Sequence, residues 1–90
     1  MEGDIKEIVG ALMRVLGGGE IRREEVEDLA FDADGDLLQA LNEAYLRLLE
    51  FAHDRDVRWI ELQHDRDMRA RLEEALNEIV RLADAEVSSN

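Results

Sequence analysis

The chain has no cysteine and no proline, one lysine, and four aromatic residues among 90: two Phe, one Tyr and one Trp. Without cysteine there is no disulfide and no thiolate metal site, so stability has to come from packing, with self-association as a further source of buried area. Without proline, and with Leu, Ala, Glu and Arg dominant, the composition favours helices joined by short links. The only serines, Ser88 and Ser89, fall in a tail expected to fray at about 86–90. A nucleophile with a positioned base is therefore not credible, and no catalytic residue is assigned. No apolar run approaches the roughly 20 residues that span a bilayer, so no membrane partner is expected. Glu2 and Asp4 stand where a secretion leader would be basic, which makes the cytoplasm the expected compartment.

Charge is present in quantity and is one-sided. Twenty-three acids face eleven bases, for a net charge of −12, and a phosphate backbone would be repelled. Nucleic acid is excluded as a partner on that ground, although the same charge permits a third-ranked reading as an acidic DNA mimic. All the bases but Lys6 are Arg, which suits planar, bidentate pairing with carboxylates. Apolar content of 46% is ordinary for a folded domain and too high for a disordered acidic tail. Residues 1–90 are read as one helical domain with little core to spare.

Periodicity sets out the helices. Ile5, Ile8, Val9, Leu12 and Leu16 make one apolar stripe, behind a capping-box spacing at Asp4 and Glu7. Gly17-Gly18-Gly19 should end that helix, with Gly17 left-handed, and the Lys and Ser/Thr of a phosphate loop are missing. A short second helix is expected over 23–31, with Arg22 at the N-cap and Glu25 at the third helical position. The next link puts Asp32, Asp34, Asp36 and Glu43 at EF-hand spacing. Leu37, however, sits where the calcium loop needs glycine, so Asp34 or Asp36 is read as a helix cap. A third helix runs from about Asp36 to Asp54 or as far as Trp59, and a fourth from about Arg66 to Ala85, capped by Asp65. At about 100° per residue, the third helix's stripe centres near 150° and the fourth's near 340°. One straight helix would point them apart, so a reversal between His53 and Asp67 is expected. The fold class is thus all-α: a small four-helix bundle-like domain with two short N-terminal helices and a longer antiparallel C-terminal hairpin, packed through Leu41, Tyr45, Leu48, Leu72, Leu76 and Ile79.

Across that reversal lies the most informative feature of the chain. Residues 49–59 and 60–70 are near-copies of one 11-residue unit, [LI]-E-[FL]-x-H-D-R-D-[VM]-R. Eleven residues are three helical turns, so one inserted unit rotates the downstream part of a helix by only about 20°. The copies place Glu50 with His53 and Glu61 with His64 in identical Glu-x-x-His elements, a spacing used by carboxylate-bridged metal bundles. Along one helix Glu50 and Glu61 would stand roughly 16.5 Å apart, too far for a shared metal. The preferred reading is a solvated ion-pair ladder, Asp54 with Arg58 and Asp65 with Arg69, with no metal and no cofactor. A helical metal site at Glu50, His53, Glu61 and His64 is the alternative.

The apolar residues of the repeat, Phe51, Val57, Trp59, Ile60 and Leu62, scatter around the helical wheel, and one intramolecular stripe cannot bury them all. With Arg55, Arg58, Arg66 and Arg69 as a rim, they are the candidate interface. Trp59 could equally serve as core. The function expected from the sequence is a small acidic, non-enzymatic, protein-binding regulator or adaptor, homodimeric through the repeat.

Overall fold

The glycine run closes helix α1 (Glu2–Leu16) in a computed structural model that describes the backbone of residues 2–88 and the side chains of residues 5–85. Gly19 N–H donates to Arg14 O and Gly18 N–H to Val15 O, the paired bonds of a Schellman ending. The left-handed residue is Gly18 (φ 101°) rather than Gly17, because Gly17 N–H still makes a helical bond to Met13 O. A Cβ at Gly19 would lie 2.8 Å from Arg14 O, so the chain passes too close there for a side chain. Asp4 lies within α1 rather than capping it.

Helix α2 (Arg23–Glu27) is shorter than the expected 23–31. As the spacing predicts, Arg22 is its N-cap and the Glu25 carboxylate accepts the Arg22 backbone N–H at 3.1 Å. Past Glu27 the ladder tightens and leaves the helix: Asp28 N–H still reaches Glu24 O, Leu29 N–H turns to Val26 O, and Ala30 N–H goes to the Glu7 carboxylate on α1 (3.3 Å). Val26 is fully buried, and Phe31 packs on the Tyr45 ring with centroids 5.9 Å apart.

Helix α3 (Gly35–His53) begins on a left-handed Gly35 (φ 60°). Asp34 holds the N-cap position in an extended conformation, without a side-chain cap bond. Glu43 is engaged by Arg47 at 3.1 Å, one turn along the same helix. The stretch expected to hold the reversal, between His53 and Asp67, carries a short α4 (Arg55–Ile60), and the last helix, α5 (Leu62–Ser88), starts four residues before the expected Arg66. Asp54 N–H and Arg58 N–H still keep helical spacing across the α3–α4 joint, whereas Glu61 is extended (φ −112°, ψ 96°) and breaks the helix. The expected reversal therefore lies between His53 and Leu62, across α4, with breaks at Asp54 and at the extended Glu61. Asp65 lies inside α5 and does not cap it. The expected fraying at about 86–90 falls partly outside the described residues; helix is described as far as Ser88.

The chain is all-α, and five helices stand where four were expected, with no strand among the described residues. Helices α3 and α5 run antiparallel: Asp36 and Gln39 lie alongside Glu78, Arg81 and Leu82, while Arg47 and Glu50 lie alongside Met68 and Arg71. Leu41, Leu48, Leu72 and Ile79 are buried between them, with Tyr45 and Leu76 packed at the margin. Ile8, Leu12 and Val15 of α1 complete the core, in which Phe51 is also fully buried. None of the described helices is long and apolar enough to cross a membrane.

Candidate functional site at the helical corner

The last arginine of each repeat copy turns inward, and the two meet. The Arg58 side chain is 0% exposed, its guanidinium carbon 3.4 Å from the centroid of the Phe51 ring. Its Nε and Nη2 donate to Phe51 O (3.1 and 2.7 Å), one of the carbonyls left unpaired at the end of α3. Its Nη1 and Nη2 fork onto the two oxygens of Glu20 (3.1 and 2.9 Å), and Nη1 also reaches Asp65 (2.8 Å).

Arg69 performs the corresponding service for α1. It donates to Val15 O and Gly19 O, the carbonyls presented by the Schellman turn. It also pairs with Glu20 and Asp65, both at 2.9 Å, while its guanidinium lies 5.0 Å from the Phe51 ring. Two cations and two anions thus form a balanced cluster in which each arginine caps the C-terminus of a different helix. No buried side-chain polar atom is left unpaired among the described residues.

The environment acts on these groups as charge pairing requires. The Arg58 hydrogen bonds hold Glu20 below the usual carboxylate range against the opposing effect of burial. Arg69, then Arg58, does the same for Asp65, again against burial. Burial pulls Arg58 downward, but the bonds from Glu20 and Asp65 outweigh it and leave its pKa raised. Glu20, Asp65 and Arg58 stay charged.

The solvated ladder is therefore corrected. Asp65 and Arg69 do pair at the expected spacing, but within a partly buried cluster, and Arg58 turns to Glu20 and Asp65. Phe51, Arg58 and Arg69, expected at an interface, are occupied within the chain. Glu20 was not anticipated: its partners lie 38 and 49 residues away, and its one local sign is its place directly after the glycine turn.

The remaining apolar candidates each face water. Val57 is 47% exposed, Trp59 70%, Ile60 83% and Leu62 67%, so Trp59 is not core. Each has a charged residue one turn away: Arg55 lies 5.5 Å from the Trp59 ring, Asp56 precedes Ile60 by four residues, Glu61 comes four after Val57 and Arg66 four after Leu62.

The two Glu-x-x-His elements are separated by the fold. Glu50 and His53 border an open groove of about 430 Å³ with Arg23, Leu49 and Asp54. Glu61 is the extended break residue, and His64 meets Asp54 at 3.2 Å. Among the described residues no three His, Asp or Glu side chains gather as a metal-holding group. Compared with models of protein families, with curated proteins and with solved structures, the chain matches none.

Proposed function

We propose that this chain is a non-enzymatic protein-binding module, a small regulator or adaptor, that works as a homodimer through the corner formed by α4 and the start of α5. One observation carries the reading: four large apolar side chains, Val57, Trp59, Ile60 and Leu62, stand exposed within six residues of one another. At about 150–250 Å² for a large side chain, their exposed fractions amount to on the order of 500 Å². That is at the upper end of what a monomer ordinarily shows to water. Two such patches face to face would bury about 1,000 Å², the lower bound of a specific interface.

The cluster beneath gives the patch a rigid base, since Arg58 ties α4 to the end of α3 and to Glu20. A preordered patch loses less conformational entropy on docking than a mobile one. Trp59 is the only Trp, so its fluorescence reports on the patch alone. Emission should move to shorter wavelength between about 1 and about 100 µM protein, as the indole leaves water on association. Emission that stays at the fully solvated wavelength across that range would overturn the proposal.

A further inference from the structure

Among the described residues, most arginines have a carboxylate partner in the chain. Arg14 and Arg22 pair with Glu25, Arg23 with Glu27, Arg47 with Glu43, Arg81 with Glu78, and Arg58 and Arg69 with Glu20 and Asp65. That pattern is unsurprising in a chain with twice as many acids as bases, and it makes the exceptions informative. Lys6, Arg55, Arg66 and Arg71 alone take part in none of these ion pairs, and two of the four, Arg55 and Arg66, flank the apolar corner. Asp56 and Glu61, which border the same four apolar side chains, likewise take part in none of the ion pairs among the described residues.

We infer that the occupant of this corner is a second copy docked about a two-fold axis, with Arg55 and Arg66 of each copy meeting Asp56 and Glu61 of the other. The inference rests on the homodimer reading above and adds its two-fold geometry and the residues that set specificity. In a two-fold contact every pairing occurs twice, so a patch rimmed by both signs is complementary to itself. A strongly basic partner would suit the acidic remainder of the surface but would leave Arg55 and Arg66 facing like charge. A second copy satisfies both signs. Its rim, two cations and two anions per copy, is neutral, so two chains of −12 approach through a surface that does not add to their mutual repulsion.

Charge exchange tests this on the full chain, with sedimentation as the readout and circular dichroism to verify that helicity is kept. The variant Arg55→Glu/Arg66→Glu takes the net charge from −12 to −16, and Asp56→Arg/Glu61→Arg takes it from −12 to −8. Each variant alone should dimerise at least about tenfold more weakly than wild type. The second is decisive, because overall repulsion falls in it, and general electrostatics would tighten the dimer. Mixing the two should restore a mixed dimer close to wild-type affinity, since opposite signs again meet. Should the acid-to-arginine variant dimerise as well as wild type, or should the mixture fail to recover, the pairing is overturned while the protein-binding reading stands. A wild-type chain that is monomeric at all concentrations overturns both.

Discussion

Arg55 and Arg58 are the same residue type, three positions apart on one six-residue helix, and their replacement by alanine should differ by several kcal/mol. Arg55 is exposed and lies 5.5 Å from the Trp59 ring, so Arg55→Ala should cost at most about 0.5–1 kcal/mol. Arg58→Ala removes much more. It strands Phe51 O, a buried carbonyl whose two bonds both come from this side chain, at about 1–3 kcal/mol. It removes the stacked guanidinium from the Phe51 face and leaves a cavity whose collapse is limited by the surrounding helices. It also leaves Glu20 and Asp65 with Arg69 alone between them, although both are partly hydrated and lose less than buried ions would. These effects overlap, and together they place Arg58→Ala at about 3–5 kcal/mol, the range for breaking a buried ion pair. A 90-residue chain has roughly 5–13 kcal/mol in all, so the variant should be marginally folded at best. Urea unfolding followed by helical circular dichroism, at one protein concentration, measures both variants on the same scale. Arg58→Lys should recover less than half of the loss, because an ammonium cannot fork onto Glu20 while bonding Phe51 O. Equal midpoints for Arg55→Ala and Arg58→Ala would refute the assignment of Arg58 as the tie between α4, α3 and the segment after α1.

Acid should weaken the fold. Glu20 and Asp65 have folded pKa values below their unfolded ones, so their contribution is present above the ordinary carboxylate range and is lost as pH falls through the folded values. Urea midpoints should be nearly flat from about pH 5 to 8 and drop below about pH 4, with a shallower drop in Glu20→Gln. Two glycine substitutions should have opposite signs. Gly10→Ala, in mid-helix with open space around it, should stabilise by about 0.5–1 kcal/mol, whereas Gly19→Ala, forced onto Arg14 O, should destabilise by about 1–3 kcal/mol in thermal melts. Zinc titration calorimetry of wild type should show no stoichiometric binding, and a tight site that disappears on His53→Ala would restore the metal alternative.

Elements written in local pattern were legible in the sequence, and elements written in distant charge pairing were not. The near-opposite phases of the α3 and α5 stripes required a reversal, and the fold provides one between His53 and Leu62. The Arg22–Glu25 spacing and the glycine stop could also be read, because capping depends on residues within one turn of each other. The division of the repeat escaped. Identical local sequence predicts identical roles, and the arginines keep them, Arg55 and Arg66 facing water while Arg58 and Arg69 turn inward; the aspartates do not, for Asp54 meets His64 while Asp65 meets both inward arginines. The extended Glu61 resets helical phase between the copies, so wheel positions counted through it lose meaning. Glu20 was invisible for a related reason: a lone carboxylate after a glycine turn gains its role only when chain segments 38 and 49 residues away fold back onto it. The same placement explains why Phe51 separated from Val57, Trp59, Ile60 and Leu62. Two stacked guanidinium groups cover Phe51, and nothing within the described chain covers the other four.

Sedimentation equilibrium of the wild-type chain in moderate salt, beside Trp59→Asp/Leu62→Asp, tests the self-association through the corner most directly. At about 100 µM the wild type should sediment at twice the chain mass, and the double variant at the chain mass with helicity retained. A wild-type monomer at that concentration, or a dimer indifferent to both aspartates, would contradict it.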